Sequence, residues 1–168
     1  PESGTEHEWR PVARRIADDL IARKDWDQFG GFLPVLARSH RAGRLLEFAL
    51  DHPHPSCALG ATLALGLNPR PEFIPRLHRL ARTARKAVAV NAAFALSRTP
   101  DTLRENLDLL DHPQPEVAAH AVLGLRRLAP NQLACAALLD HLRGGRHDVS
   151  SMQNLAAAVL GSCGPAIR

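Results

Sequence analysis

Apolar positions along the chain recur at intervals of three and four, and the stripes they form end repeatedly at a proline. PSCALGATLALGLNP (55–69), KAVAVNAAFALSRTP (86–100) and PEVAAHAVLGLRRLAP (115–130) fall into register. A small residue recurs at Ala61, Ala92 and Ala121, and another at Ala64, Ala95 and Gly124. A leucine then follows at Leu65, Leu96 and Leu125. This spacing predicts helices with one packed face, each stopped by Asn68-Pro69, Thr99-Pro100 or Ala129-Pro130. SSMQNLAAAVLGSCGP (150–165) reads as a looser fourth copy. Small residues at the recurring positions let neighbouring helices approach closely.

A second helical series lies between these: AGRLLEFALDH (42–52), PEFIPRLHRLART (71–83), TLRENLDLLDH (102–112) and LACAALLDHLRG (134–144). Pro71 suits a first helical turn, Asp101 reads as an N-cap, and Pro75 is early enough to be tolerated or to bend its helix. The unit is therefore helix–turn–helix, with a period of about 30 residues, the signature of a repeat architecture. Asp51-His52-Pro53-His54-Pro55 and Asp111-His112-Pro113-Gln114-Pro115 mark its inner turn. The first proline ends one helix, and the second opens the next where a missing N–H costs nothing. The histidines, in the last turn, are placed to cap free carbonyls. Asp140-His141 repeats the dipeptide without the prolines. His52 and His54 supply only two ligands, and histidines two units apart do not share an ion, so no metal is expected.

Residues 111–142 resemble a HEAT repeat, particularly the short bacterial variety of phycobilisome-lyase-like proteins. Asp111, Pro115, Val117, Ala121 and Leu125 stand at the places of that family's pattern. The resemblance is strong over 102–130, fair over 40–100 and weak over 131–165. It implies an all-α fold, a right-handed alpha-alpha superhelix (a HEAT/ARM-like solenoid) of four to five helical hairpins. Residues 1–39 form an atypical cap or degenerate repeat, 40–69, 70–100 and 101–130 are HEAT-like repeats, and 131–168 is a degenerate last repeat. All belong to one solenoid domain. Ala118 stands where the family has an arginine, so the Asp–Arg ladder between such repeats is expected to be missing and apolar packing to carry the stacking. In such arrays the second helices line the concave side. One column there reads Gly60, Asn91, His120 and Asn154, with Arg126 and Arg127 extending it. These side chains either face a ligand or hydrogen-bond between units.

The first forty residues follow another pattern. Residues 8–26 predict an amphipathic helix with Val12, Ile16 and Leu20 inward, joined by Ala13 and Ala17. Gly30, Gly31 and Pro34 are expected to interrupt its partner. Both tryptophans, Trp9 and Trp26, fall here, as capping packing or as an exposed binding surface.

Composition agrees with helices: 45% of residues are hydrophobic, chiefly Ala and Leu, aromatics are 4%, and Tyr is absent. Cys57, Cys135 and Cys163 lie among small apolar residues without a CxxC pair and read as buried free thiols, which suits a reducing, cytoplasmic setting. No apolar run is long enough to span a membrane.

The net charge of +4 is unevenly spread. Residues 61–100 hold seven Lys/Arg against one acid, Glu72, whereas the flanking segments are nearly balanced. Arg76, Arg79 and Arg82, spaced by three, fall on one helix face, with Arg85 and Lys86 at the following turn. They form either a solvated outer face or a basic patch for an acidic protein or a phosphate backbone.

No nucleophile elbow, phosphate loop, zinc-binding helix or dinucleotide fingerprint is present. Asp18-Asp19 and Asp25/Asp27 read as solvated helix residues, and Cys135 lacks an activating base. No catalytic residue and no cofactor are assigned, and the chain reads as non-enzymatic. Two activities known on HEAT-like arrays, alkylpurine-DNA glycosylase and bilin lyase, lack their residue sets here. The function expected is a scaffold or adaptor for a protein or peptide partner, using the basic 76–86 surface. A nucleic-acid phosphate-backbone binder is the alternative, with an alkylpurine-DNA-glycosylase-like module as its remote extension, and an uncapped last repeat allows self-association through the solenoid ends.

Overall fold

The computed structural model describes residues 6–37, 42–128 and 131–144. Every regular element among them is helical, without a strand. Asn154 and the 150–165 copy lie outside the described residues, as does the side chain of Trp9. None of the described helices is long and apolar enough to cross a membrane. The chain divides into two compact units, residues 1–68 and 69–168.

The first unit contains α1 (Glu6–Ala22), α2 (Trp26–Leu36), α3 (Gly43–Asp51) and α4 (Pro55–Leu67). Helix α1 packs on α2 and α3 on α4, but the most extensive packing is α2 on α4. The helix expected over 8–26 stops at Ala22, because the chain turns through Lys24 at φ 57°. Asp25 then starts α2 by accepting the N–H of Gln28 at 3.2 Å. The inward stripe of α1 is Ala13, Ala17 and Leu20. Val12 and Ile16, expected inside, are 54% and 41% exposed. Small alanines, rather than branched chains, bring α1 against its neighbour.

Gly30 and Gly31 do not interrupt a helix; they lie within α2. A Cβ on Gly30 would fall 2.2 Å from the carbonyl oxygen of Ser56, and one on Gly60 would fall 1.9 Å from that of Gly30. Helices α2 and α4 therefore meet backbone to backbone. Pro34 contributes to this joint: it has no N–H with which to bond the Gly30 carbonyl inside the helix. Phe29, Leu33, Leu46, Ala61 and Leu65 fill the core around it.

The second unit opens with a 3-10 turn (Pro71–Phe73), followed by α5 (Ile74–Thr83), α6 (Lys86–Arg98), α7 (Leu103–Leu109), α8 (Pro115–Arg127) and α9 (Gln132–Arg143). Pro75 falls in the first turn of α5, where it costs no hydrogen bond. Hairpins α5/α6 and α7/α8 stack so that α6 packs on α8, while α5 contacts α7 and α7 contacts α9. First helices thus form one layer and second helices another. Leu77, Ala92, Leu96, Leu109, Val117 and Leu125 are buried between them.

Asp101 is not the cap of α7. It sits in the left-handed region at φ 59°, a conformation Asp tolerates better than most residues, and Thr102 precedes the helix. The buried Thr102 hydroxyl lies 3.1 Å from the Leu96 carbonyl and 3.0 Å from that of Thr99. Asn106 donates to Thr102 O at 2.8 Å, and Gly124 leaves room for its side chain.

Candidate functional site

The two inner turns share one device. The His52 Nδ1 accepts the N–H of His54 at 3.1 Å, and the His112 Nδ1 accepts that of Gln114 at 3.1 Å. Each histidine thus satisfies the backbone donor of the residue that precedes the next helix, instead of capping carbonyls behind it. The ring must carry its proton on Nε2 for Nδ1 to accept. In the first unit this ring also packs against Trp26 at 4.1 Å and Phe48 at 5.3 Å. Trp26 is half-buried in this aromatic cluster, which Phe29 joins from the core. Asp25 and Asp27, read from sequence as merely solvated, have structural tasks: the first caps α2, and the second accepts the Ser56 hydroxyl from α4. No grouping of three or more His, Cys, Asp or Glu suited to a metal occurs among the described residues.

Polar contacts at the repeat spacing tie each hairpin of the second unit to the next. His78 Nε2 lies 2.8 Å from Asp108 Oδ2, which Arg82 also approaches at 3.5 Å. Lys86 Nζ meets Glu116 Oε1 at 2.6 Å, and Asp111 lies 3.4 Å from the His141 ring. Arg127 donates to the Ser97 carbonyl at 3.4 Å. Position 118 is Ala, but a ladder between hairpins of the second unit exists all the same, built from other residues. The hydrogen bond from Lys86 holds the Glu116 carboxyl below the usual carboxylate range.

This ladder changes the picture of the basic segment. Arg76, Arg79 and Arg82 lie on α5, Arg85 immediately precedes α6, and Lys86 begins it. Acids that sequence distance conceals, Asp108 and Glu116, reach Arg82 and Lys86 from the following hairpin. Arg85 is exposed and makes no ion pair among the described residues.

The second-helix face is the other candidate surface. Asn91 and His120 are half-buried on α6 and α8, and Gly60, their counterpart in the first unit, is buried against α2. His120 lies 5.5 Å from the Phe94 ring, and its Nδ1 is buried without a partner. Burial holds the imidazole below its ordinary pKa, favouring the neutral form. Phe94 is half-buried at this face, and the Arg98 guanidinium lies over its ring at 5.6 Å. Arg98 escaped the sequence reading because nothing in one helix's pattern marks a residue that stacks on its own preceding turn. Arg126 is exposed at the end of α8.

Cys57 is a free buried thiol, pushed up to about 11 by burial and by the charge of Asp27, and is therefore unreactive as a nucleophile near neutrality. Cys135, also expected free, is disulfide-bonded. Comparison with protein-family models, with curated proteins and with solved structures finds no match.

Proposed function

We propose that the chain is a non-catalytic scaffold or adaptor domain, a HEAT-like α-solenoid that presents the exposed parts of its second helices to a protein or peptide. The observation that carries this reading is the polar ladder at the repeat spacing, together with the two-layer stacking of the α5/α6 and α7/α8 hairpins. Units that bind mainly their neighbours leave an extended surface available to a ligand. The buried Cys57 thiol and the cap and bridge roles of Asp25 and Asp27 agree with an absence of nucleophilic or acid–base machinery at those residues.

Phosphate-backbone binding through Arg76, Arg79, Arg82, Arg85 and Lys86 has less support, because Arg82 and Lys86 are engaged by carboxylates of the next hairpin. The two readings separate by affinity capture with the full chain, with and without nuclease, followed by reconstitution of the purified pair. A scaffold retains a protein at fixed stoichiometry after nuclease treatment. Recovery of nucleic acid alone, released with a steep dependence on salt, would sink the scaffold reading.

A further inference from the structure

One face of α6 and α8 is chemically polarised. Val90, Phe94 and Leu123 give it a half-buried apolar strip. At the C-terminal ends of the same helices stand Arg98 and Arg126, both exposed and without an ion pair among the described residues. Their neighbours are committed elsewhere: Arg127 to the Ser97 carbonyl, and Lys86, at the opposite end, to Glu116. Phe94 holds the two halves together, with the Arg98 guanidinium 5.6 Å and the His120 ring 5.5 Å from its centre. Because the His120 Nδ1 is buried without a partner, a proton on Nε2 avoids an orphaned N–H. That leaves Nε2–H as a neutral donor.

Resting on the scaffold reading, we infer that this face binds an acidic peptide with an apolar anchor residue. Carboxylates of the peptide meet Arg98 and Arg126, and its anchor packs on Phe94, Val90 and Leu123. The His120 Nε2–H donates to a peptide carbonyl. Arginine suits this role because its planar fork engages a carboxylate with two parallel hydrogen bonds, and a ring stacked beneath it restricts the guanidinium before binding. A nucleic-acid backbone fits less well. It presents a charge at every step and needs a continuous cationic row, whereas along α6 the apolar Val90 and Phe94 stand between Lys86, paired to Glu116, and Arg98.

The test is fluorescence anisotropy, titrating the full chain into a short labelled peptide of Glu and Asp around a central Leu-Phe pair. Saturable binding is expected, weakened about tenfold by Arg98→Gln and by Arg126→Gln, the loss that one charge-assisted hydrogen bond corresponds to. Arg104→Gln, on α7, is expected to leave it unchanged. Phe94→Leu preserves apolar volume while removing the ring under Arg98, and a thermal melt checks that it folds. Three results overturn the inference: no saturable binding, indifference to Arg98→Gln combined with Arg126→Gln, or equal binding of a Lys-for-Glu peptide or a single-stranded oligonucleotide. A captured protein partner that the peptide fails to displace overturns this inference alone. Peptide binding by a chain that captures no protein overturns the scaffold reading instead.

Discussion

The two pairs of packed second helices, α2/α4 in the first unit and α6/α8 in the second, solve the same problem in different ways. In α2/α4, glycines at 30 and 60 remove side chains from the contact, so backbone meets backbone. The outward positions of α4 are then plain leucines: Leu59, Leu63 and Leu67 are 37%, 38% and 55% exposed. In α6/α8, Asn91 and His120 stand at the position of Gly60, the positions of those leucines carry Val90, Phe94 and Arg98 in α6, and the helices are tied by polar contacts at the repeat spacing. One repeat plan therefore accepts either close approach with an apolar exterior or wider chemistry with a polar one. What distinguishes the units is surface, while the hairpin beneath is shared.

Substitution at the glycine joint is expected to show the largest difference. Gly60→Ala places a methyl 1.9 Å from the Gly30 carbonyl, a backbone atom that cannot rotate away. A loss of about 3 kcal/mol or more is expected in chemical denaturation, at the upper end for overpacking. Asn91→Ala, the matching change in the second unit, should cost under about 1 kcal/mol, as a half-exposed substitution. Equal losses at the two sites would show that the pairs do not differ in closeness.

A second contrast uses Gly124, whose Cβ would fall 2.5 Å from the Asn106 Oδ1. Here the obstacle is a side chain, so Gly124→Ala should cost about 1–3 kcal/mol. Combined with Asn106→Ala, it should cost less than the sum of the two single changes, because the second substitution opens the space that the first requires. Strict additivity in a double-mutant cycle would refute that coupling.

The inner turns offer a finer comparison. His112→Ala removes one hydrogen bond to the Gln114 N–H and should cost about 1 kcal/mol. His52→Ala also removes the packing on Trp26 and Phe48, and should cost about 0.5–1.5 kcal/mol more. Asn at either position can accept the same N–H, so His112→Asn should recover part of the loss. Thermal melts of the three variants would decide this, and equal losses at 52 and 112 would contradict the aromatic contribution.

The smallest effect concerns acid. Burial lowers the His120 pKa in the folded protein, so the unfolded chain takes up the proton first. This contribution is fully present above the unfolded pKa and is lost as pH falls through the lower folded value. His120→Gln should therefore gain stability relative to the parent chain on acidification from neutral pH. A constant difference across that range would exclude the effect.

Much of this molecule is legible in one chain of letters. Proline-terminated stripes locate α4, α6 and α8, and the intervening stripes locate α3, α5, α7 and α9, because period and helix stops are local properties. The N-terminal hairpin misleads for an equally physical reason. Gly-Gly and an internal proline are poor helix formers alone, and only the close approach of α4 makes Gly30 an advantage inside α2. The candidate site was half visible: Asn91, His120, Arg126 and Arg127 follow from aligning repeats, whereas Phe94 and Arg98 did not emerge.

What the sequence by itself determined is the all-helical class, the repeat length, the turns and the excess of positive charge in the middle of the chain. Tertiary structure alone decided which charges remain available. Lys86 and Arg82 are separated from Glu116 and Asp108 by a whole hairpin in sequence, yet lie within 2.6 and 3.5 Å of them in space. It also set Arg98 over the Phe94 ring, with His120 half-buried beside it. Helix formation depends on neighbours a few residues away, but pairing and exposure depend on what the next repeat brings alongside.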